Sequence, residues 1–158
     1  MSERKLCGPF RRILFCADFS ENADLAFDVA LDQAARSPDS RLFLLHVVPE
    51  PEAQFFNTYL YEVDNVDSKG KQDMDEKIRA AYVSRLPPGL KMELEIRGGT
   101  EADNILECAQ EKNIDLIILG RQGRSSVGKV FFGNVTEKVV RKSRCAVLVV
   151  PLSSEGKA

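Results

Sequence analysis

Two glycine-containing stretches carry the clearest chemical signal in this chain. Gly120 and Gly123 follow an apolar run that ends at Leu119, and Gly133, separated from Gly123 by nine residues, opens a helix-like run. Glycines directly after a strand let backbone N–H groups approach an anion with no Cβ in the way. A helix that begins behind them adds further N–H donors and the positive end of its dipole. The pattern predicts the phosphate half of a nucleotide site.

A second phosphate-loop pattern overlaps the first and is weaker. Residues 123–129 read GxxxxGK, but Val130 follows where a Walker loop needs a Ser or Thr hydroxyl for Mg²⁺. A true loop of that class is therefore disfavoured. Arg124 and Lys129 either help to neutralise phosphate or are solvated loop charges, and both interpretations stay open.

The elements that must position this site alternate along the chain. Continuous apolar runs predict strands buried on both faces, as in parallel sheets. A fifth run alternates Met92, Leu94 and Ile96 with charged residues, which predicts an edge strand with one face in water. The charged positions of that run are Glu93, Glu95 and Arg97. The predicted strands are residues 13–17, 42–48, 92–97, 114–119 and 145–150.

Four helices are predicted between the strands. The first starts after Ser20, a possible N-cap, and carries Leu25, Ala26, Val29 and Ala30. The others cover residues 72–85, the stretch after Thr100, and 135–143. Asp103, three residues after Thr100, suggests a variant of the capping box.

The fold class that follows is α/β: a single open five-stranded parallel sheet with helices on both faces. In a 3-2-1-4-5 strand order, the winding reverses between strands one and four, and ligands bind outside the strand ends at that point. Strand one ends at Ala17-Asp18 and strand four at Leu119-Gly120. Asp18 is thus expected to contact a ligand, although a carboxylate there could instead accept from N–H groups at a helix start.

Composition limits the functional classes. A length of 158 residues with 44% hydrophobic content indicates a single domain. The net charge of -2 indicates no general attraction to nucleic acid. No apolar run reaches the ~20 residues that span a bilayer, so no membrane association is expected. Cys7, Cys16, Cys108 and Cys145 are far apart, which fits free thiols in a reducing cytoplasm. Cys16 and Cys145 lie in apolar runs and are expected to be small buried side chains.

Several of these segments together resemble the universal stress protein family. They are Cys16-Ala17-Asp18-Phe19-Ser20, Leu44-Leu45-His46-Val47-Val48, the glycine pattern Gly120-x2-Gly123-x9-Gly133, and the closing run from Arg141 to Pro151. The resemblance covers residues 12–151, with residues 1–11 and 152–158 as tails. It implies a flavodoxin-like sheet, a homodimer, and binding of ATP or the related ADP or AMP.

The resemblance also implies a role for individual residues. Ala17 and Asp18 would lie at the adenosine end, Val47 would contact adenine, and Leu119 and Gln122 would line the pocket. Ribose and phosphates would be held by Gly120, Gly123, Gly133, Asn134, Val135 and Thr136. Asn134 stands where the family has Ser or Thr. It can cap the helix and donate to a phosphate, but it lacks a hydroxyl, so Mg²⁺ dependence and the number of phosphates stay open.

Catalysis is not predicted. His46, the only histidine, lies in an apolar strand and is expected to be a packed core residue rather than a general base. The expected function is a nucleotide-binding regulatory module that dimerises through the last strand, Cys145 to Val150, because an exposed apolar edge invites association. Two alternatives stay open: a nucleotide-independent dimeric interaction module, and a slow ATPase or autophosphorylating protein with Thr136, Ser125 or Ser126 as acceptor. Residues 50–69 are either a surface excursion or a lid or partner-binding segment.

Overall fold

One sheet of five parallel strands organises the described part of the chain. The computed structural model describes residues 9–18, 21–49, 76–120 and 133–151. The strands are β1 (Arg12–Ala17), β2 (Arg41–Pro49), β3 (Met92–Gly99), β4 (Leu116–Gly120) and β5 (Ala146–Val150). Their order is β3-β2-β1-β4-β5, and all four neighbouring pairs are parallel. The predicted topology is confirmed.

Helices cover both faces of this sheet, as the sequence predicted. They are α1 (Glu21–Ala35), α2 with its described part at 76–81, α3 (Glu101–Glu111) and α4 (Gly133–Lys142), and a short 3-10 turn, Val83–Arg85, follows α2. Successive side chains of β1 point to opposite faces of the sheet and so belong to two different hydrophobic cores. Phe15 packs with α1 and α2 residues, whereas Leu14 packs with α3 and α4 residues. In the described ranges, no helix is both long and apolar enough to cross a lipid bilayer.

The core under α1 and α2 is centred on three aromatic rings. Phe15, Phe27 and Tyr82 are each fully buried. Their ring centroids lie 4.9–5.5 Å apart in tilted and edge-on arrangements, which are the geometries that aromatic quadrupoles favour. This cluster holds α1 against β1, the strand whose end begins the candidate site.

The prediction for β3 is half right. β3 is an edge strand, but its charged face is only partly wet: Glu93 is 55% exposed, whereas Glu95 and Arg97 are half-buried. Arg97 has only 16% of its side chain exposed, because α3 covers it and supplies Glu107 and Glu111 as partners. Ile96, on the apolar face, is 37% exposed. Opposite charges on strand and helix let a polar face pack against a helix, which alternation alone does not reveal.

Two smaller predictions are also corrected. Cys145 is half-buried rather than buried, since it lies in the turn before β5, where its N–H donates to Ser143 Oγ at 3.1 Å. Thr100 is the N-cap residue of α3, but its side chain makes no capping hydrogen bond. Asn104 fixes this turn instead, because its side-chain amide donates to the Thr100 carbonyl at 2.9 Å. Ser20, residues 50–69 and residues 123–129 lie outside the described residues.

Candidate functional site

The carboxyl ends of the central strands bring the predicted site residues to one edge of the sheet. Phe15 of β1 pairs with Ile118 of β4, so Ala17 and Gly120 come two residues further along neighbouring strands. Ala17 also lies opposite His46 of β2, and Val47 is the residue that follows His46 in that strand. The strand ends at the predicted switch point therefore meet.

Most side chains at these strand ends belong to the core. Ala17, Val47 and Leu119 are 3%, 7% and 4% exposed. Asp18 and Gly120 are half-buried. Since the apolar side chains point into the protein, they can offer a ligand little beyond their backbone groups. The polar chemistry at this edge comes from the backbone and from the side chains of Asp18, His46 and Glu101.

His46 makes a specific polar contact at this edge. Its Nδ1 lies 2.7 Å from the carbonyl oxygen of Ala17, across the β1–β2 pair. Because a carbonyl only accepts, Nδ1 must carry a proton. The ring is half-buried, so the expectation of a plain core residue was incomplete. It is a hydrogen-bond donor to the last residue of β1.

Glu101 is a residue at this edge that sequence reasoning missed. It is the first residue of α3, in the first turn together with Asp103. Burial raises the pKa of the Glu101 carboxyl, and the nearby charge of Asp18 raises it further. Asp18 and Glu101 therefore form a region rich in hydrogen-bond acceptors at the end of β1. The available signal was the position of Glu101 just after Gly98-Gly99, at the same sheet edge as Asp18.

The N-terminus of α4 offers hydrogen-bond donors, where Asp18 and Glu101 offer acceptors. Gly133 begins the helix with φ of 75°, a region that favours glycine. Asn134 is exposed, and Val135 packs against the cluster that contains Leu119. Thr136 is only 3% exposed, which disfavours it as a phosphoryl acceptor. Gln122, Gly123 and Arg124 lie outside the described residues.

Two buried cysteines, Cys16 and Cys108, carry thiols of low reactivity. Burial raises the pKa of the Cys16 thiol well above its ordinary value, and the Glu101 charge adds to the shift. Burial and the neighbouring Glu95 likewise raise the pKa of Cys108 to about 11. Both thiols thus stay protonated at neutral pH and are poor nucleophiles. Among the described residues, no group of three His, Cys, Asp or Glu side chains could hold a metal ion.

Comparison with known proteins places these features in a family. The model of the universal stress protein family matches residues 9–151. Universal stress protein MJ0577 of Methanocaldococcus jannaschii is 27% identical over 155 residues, covering 89% of this chain and 94% of the relative. Its structure superposes with a TM-score of 0.72 over 93% of this chain and 99% of the other.

Two further solved structures share the fold. Universal stress protein UspA from Lactobacillus plantarum is 27% identical with a TM-score of 0.68, covering 91% of this chain and 99% of the other. A universal stress protein in complex with cAMP is 22% identical with a TM-score of 0.59, covering 92% of this chain and 100% of the other. The chain belongs to the universal stress protein family.

Proposed function

We propose that this chain binds an adenine nucleotide, ATP or the related ADP or AMP, and acts as a homodimeric regulatory module in a reducing cytoplasm. One observation carries the proposal. The ends of β1 and β4 meet at one sheet edge, and α4 begins at Gly133 with a backbone angle that favours glycine. The cAMP complex of a family member with the same fold supports a nucleotide as the ligand.

The polarity of the described groups fits a nucleotide. Asp18 and the partly buried Glu101 can accept hydrogen bonds from donors such as ribose hydroxyls or an amino group. The first N–H groups of α4, a helix of ten residues, suit the phosphates. Mg²⁺ would be held through the phosphates, because Asn134 offers no hydroxyl to it. A nucleoside is therefore expected at the β1 end and its phosphates at the α4 end.

Replacing Gly133 with alanine tests this placement. We expect the affinity for Mg·ATP to fall at least tenfold, since a Cβ at positive φ reorients the first turn of α4 and costs about 1–2 kcal/mol. The measurement is calorimetric titration of the nucleotide-stripped protein. Gly89→Ala is the matched control. Gly89 also has positive φ, at 86°, but it precedes β3, at the amino ends of the strands and away from the candidate site. An added Cβ there meets no atom within 4 Å.

The two variants separate strain from lost binding. Both should lose similar stability, but only Gly133→Ala should lose affinity. Equal affinities for the two variants would contradict a role for Gly133. A wild-type protein that takes up no nucleotide would instead support the nucleotide-independent interaction module. Phosphate release from bound Mg·ATP above the Gly133→Ala level would favour the slow ATPase.

The homodimer is proposed to form through β5. In the described part of the chain, β5 pairs only with β4, and Leu148 is 36% exposed on it. An apolar edge of this kind can pair with a second copy. Sedimentation equilibrium should give a dimer for the wild type. Leu148→Lys should dissociate it, because twin strands would bring like charges together, whereas Val140→Lys, at a 53% exposed position of α4, should not. A monomeric wild type at micromolar concentration would contradict the proposal.

A further inference from the structure

We propose that His46 is a positioning residue that orients the nucleoside end of the site. The inference rests on the proposed function and assigns a task to a side chain that the proposal does not use. His46 Nδ1 donates to the Ala17 carbonyl at 2.7 Å. The two residues are direct neighbours in the β1–β2 register.

The hydrogen bond between His46 and Ala17 lies at the carboxyl end of β1. β1 ends at Ala17, and Asp18 is the next residue. The peptide unit that joins them is planar and trans, so the Ala17 carbonyl and the Asp18 N–H point in opposite directions within one plane. A donor that fixes the carbonyl therefore also fixes the direction of the Asp18 N–H. It sets where the Asp18 side chain starts as well.

Packing alone does not account for a histidine at this position. The side chains two positions away in β2, Leu44 and Val48, share the face of His46 and are apolar, with Leu44 buried and Val48 half-buried. Placing an imidazole beside them removes some of its polar surface from water, which is unfavourable unless a hydrogen bond compensates. Ala17 provides that bond. An aliphatic residue would fill the strand equally well but would leave the end of β1 without this donor.

Two substitutions separate the donor from the bulk of the side chain. In asparagine the amide nitrogen is attached at Cγ, as Nδ1 is in histidine, so His46→Asn can still donate to the Ala17 carbonyl. His46→Leu fills space but has no donor. Adenosine probes the β1 end alone, inorganic tripolyphosphate probes the α4 end alone, and ATP probes both.

Calorimetric titration of the full chain with these three ligands tests the inference. For His46→Leu we expect the affinities for adenosine and ATP to fall by the same factor, about tenfold, because the displaced Asp18 loses about one hydrogen bond to the nucleoside. The affinity for tripolyphosphate should not change. His46→Asn should recover adenosine binding to within about threefold of the wild type, because the donor is kept.

Several results would overturn the proposal. Adenosine binding by His46→Leu at the wild-type level would do so, as would a parallel loss of tripolyphosphate binding or a folded His46→Asn that recovers nothing. Should His46→Leu fail to fold, ¹⁵N NMR of the wild-type ring decides: protonated Nδ1 is required, and an unprotonated Nδ1 contradicts the inference. A wild type that binds neither adenosine nor ATP removes the proposed function and this inference together, whereas intact wild-type binding with an unaffected His46→Leu removes only the inference.

Discussion

Replacing Phe27 with alanine should lower the free energy of unfolding by about 3–5 kcal/mol, as for other large aromatic-to-alanine changes in cores. Phe27 is fully buried, and its ring lies 5.1 Å from that of Phe15 and 4.9 Å from that of Tyr82. The guanidinium of Arg85 covers the same ring at 5.0 Å, and Arg85 also pairs with Asp28. The change leaves a cavity and removes the partner of three groups at once.

Urea unfolding monitored by circular dichroism measures this loss, with the midpoint and the slope fitted separately. Phe27→Leu is the graded comparison, since it keeps most of the apolar volume and should lose less. Phe10→Ala is the control: Phe10 is only partly buried against the same cluster. A loss for Phe27→Ala no larger than that for Phe10→Ala would mean that the core refills the space.

The helix α1 illustrates what a periodic pattern predicts and what it misses. The sequence indicated a face containing Leu25, Ala26, Val29 and Ala30. Ala26 and Ala30 are fully buried, whereas Leu25 and Val29 are half-buried. The centre of the buried face is shifted toward Phe27, because small residues let the helix approach the sheet while one large ring fills the space beside them. Periodicity gives the side of the helix but not which residue packs deepest.

In the candidate site, too, some features were predictable from the sequence and others were not. The end of each strand could be read from the apolar runs, and the strand order followed from the fold class, so the meeting of the ends of β1 and β4 was predictable. Glu101 was not, since an acidic residue in the first turn of a helix is common and its burial depends on how α3 lies over the sheet. The bond from His46 to Ala17 depends on a side-chain orientation across two strands, which no local pattern encodes.

Replacing Arg97 with methionine should lower the free energy of unfolding by about 1–2 kcal/mol, because its side chain is only 16% exposed while water screens the more exposed Glu107 and Glu111 in part. Arg97 Nη2 lies 2.9 Å from Glu95 and 2.6 Å from Glu111, and Nη1 lies 3.9 Å from Glu107. Methionine fills similar space, but three carboxylates then face one another with only Lys112 nearby, which reaches Glu95 at 3.6 Å. The hydrogen bond to Glu111 raises the pKa of Arg97, and burial lowers it. The net direction is upward, so the carboxylate partners outweigh the cost of burial.

Arg36→Met is the matched control for this change. Arg36 pairs with Asp32 at 3.1 Å in the next-turn position of α1, but both side chains are more than 60% exposed. Water screens such a pair, so its loss should cost about 0.5 kcal/mol or less. Adding Glu111→Gln to Arg97→Met should recover part of the stability by removing one uncompensated charge. Equal losses for Arg97→Met and Arg36→Met in urea unfolding would mean that α3 does not shield the charged face of β3 from water.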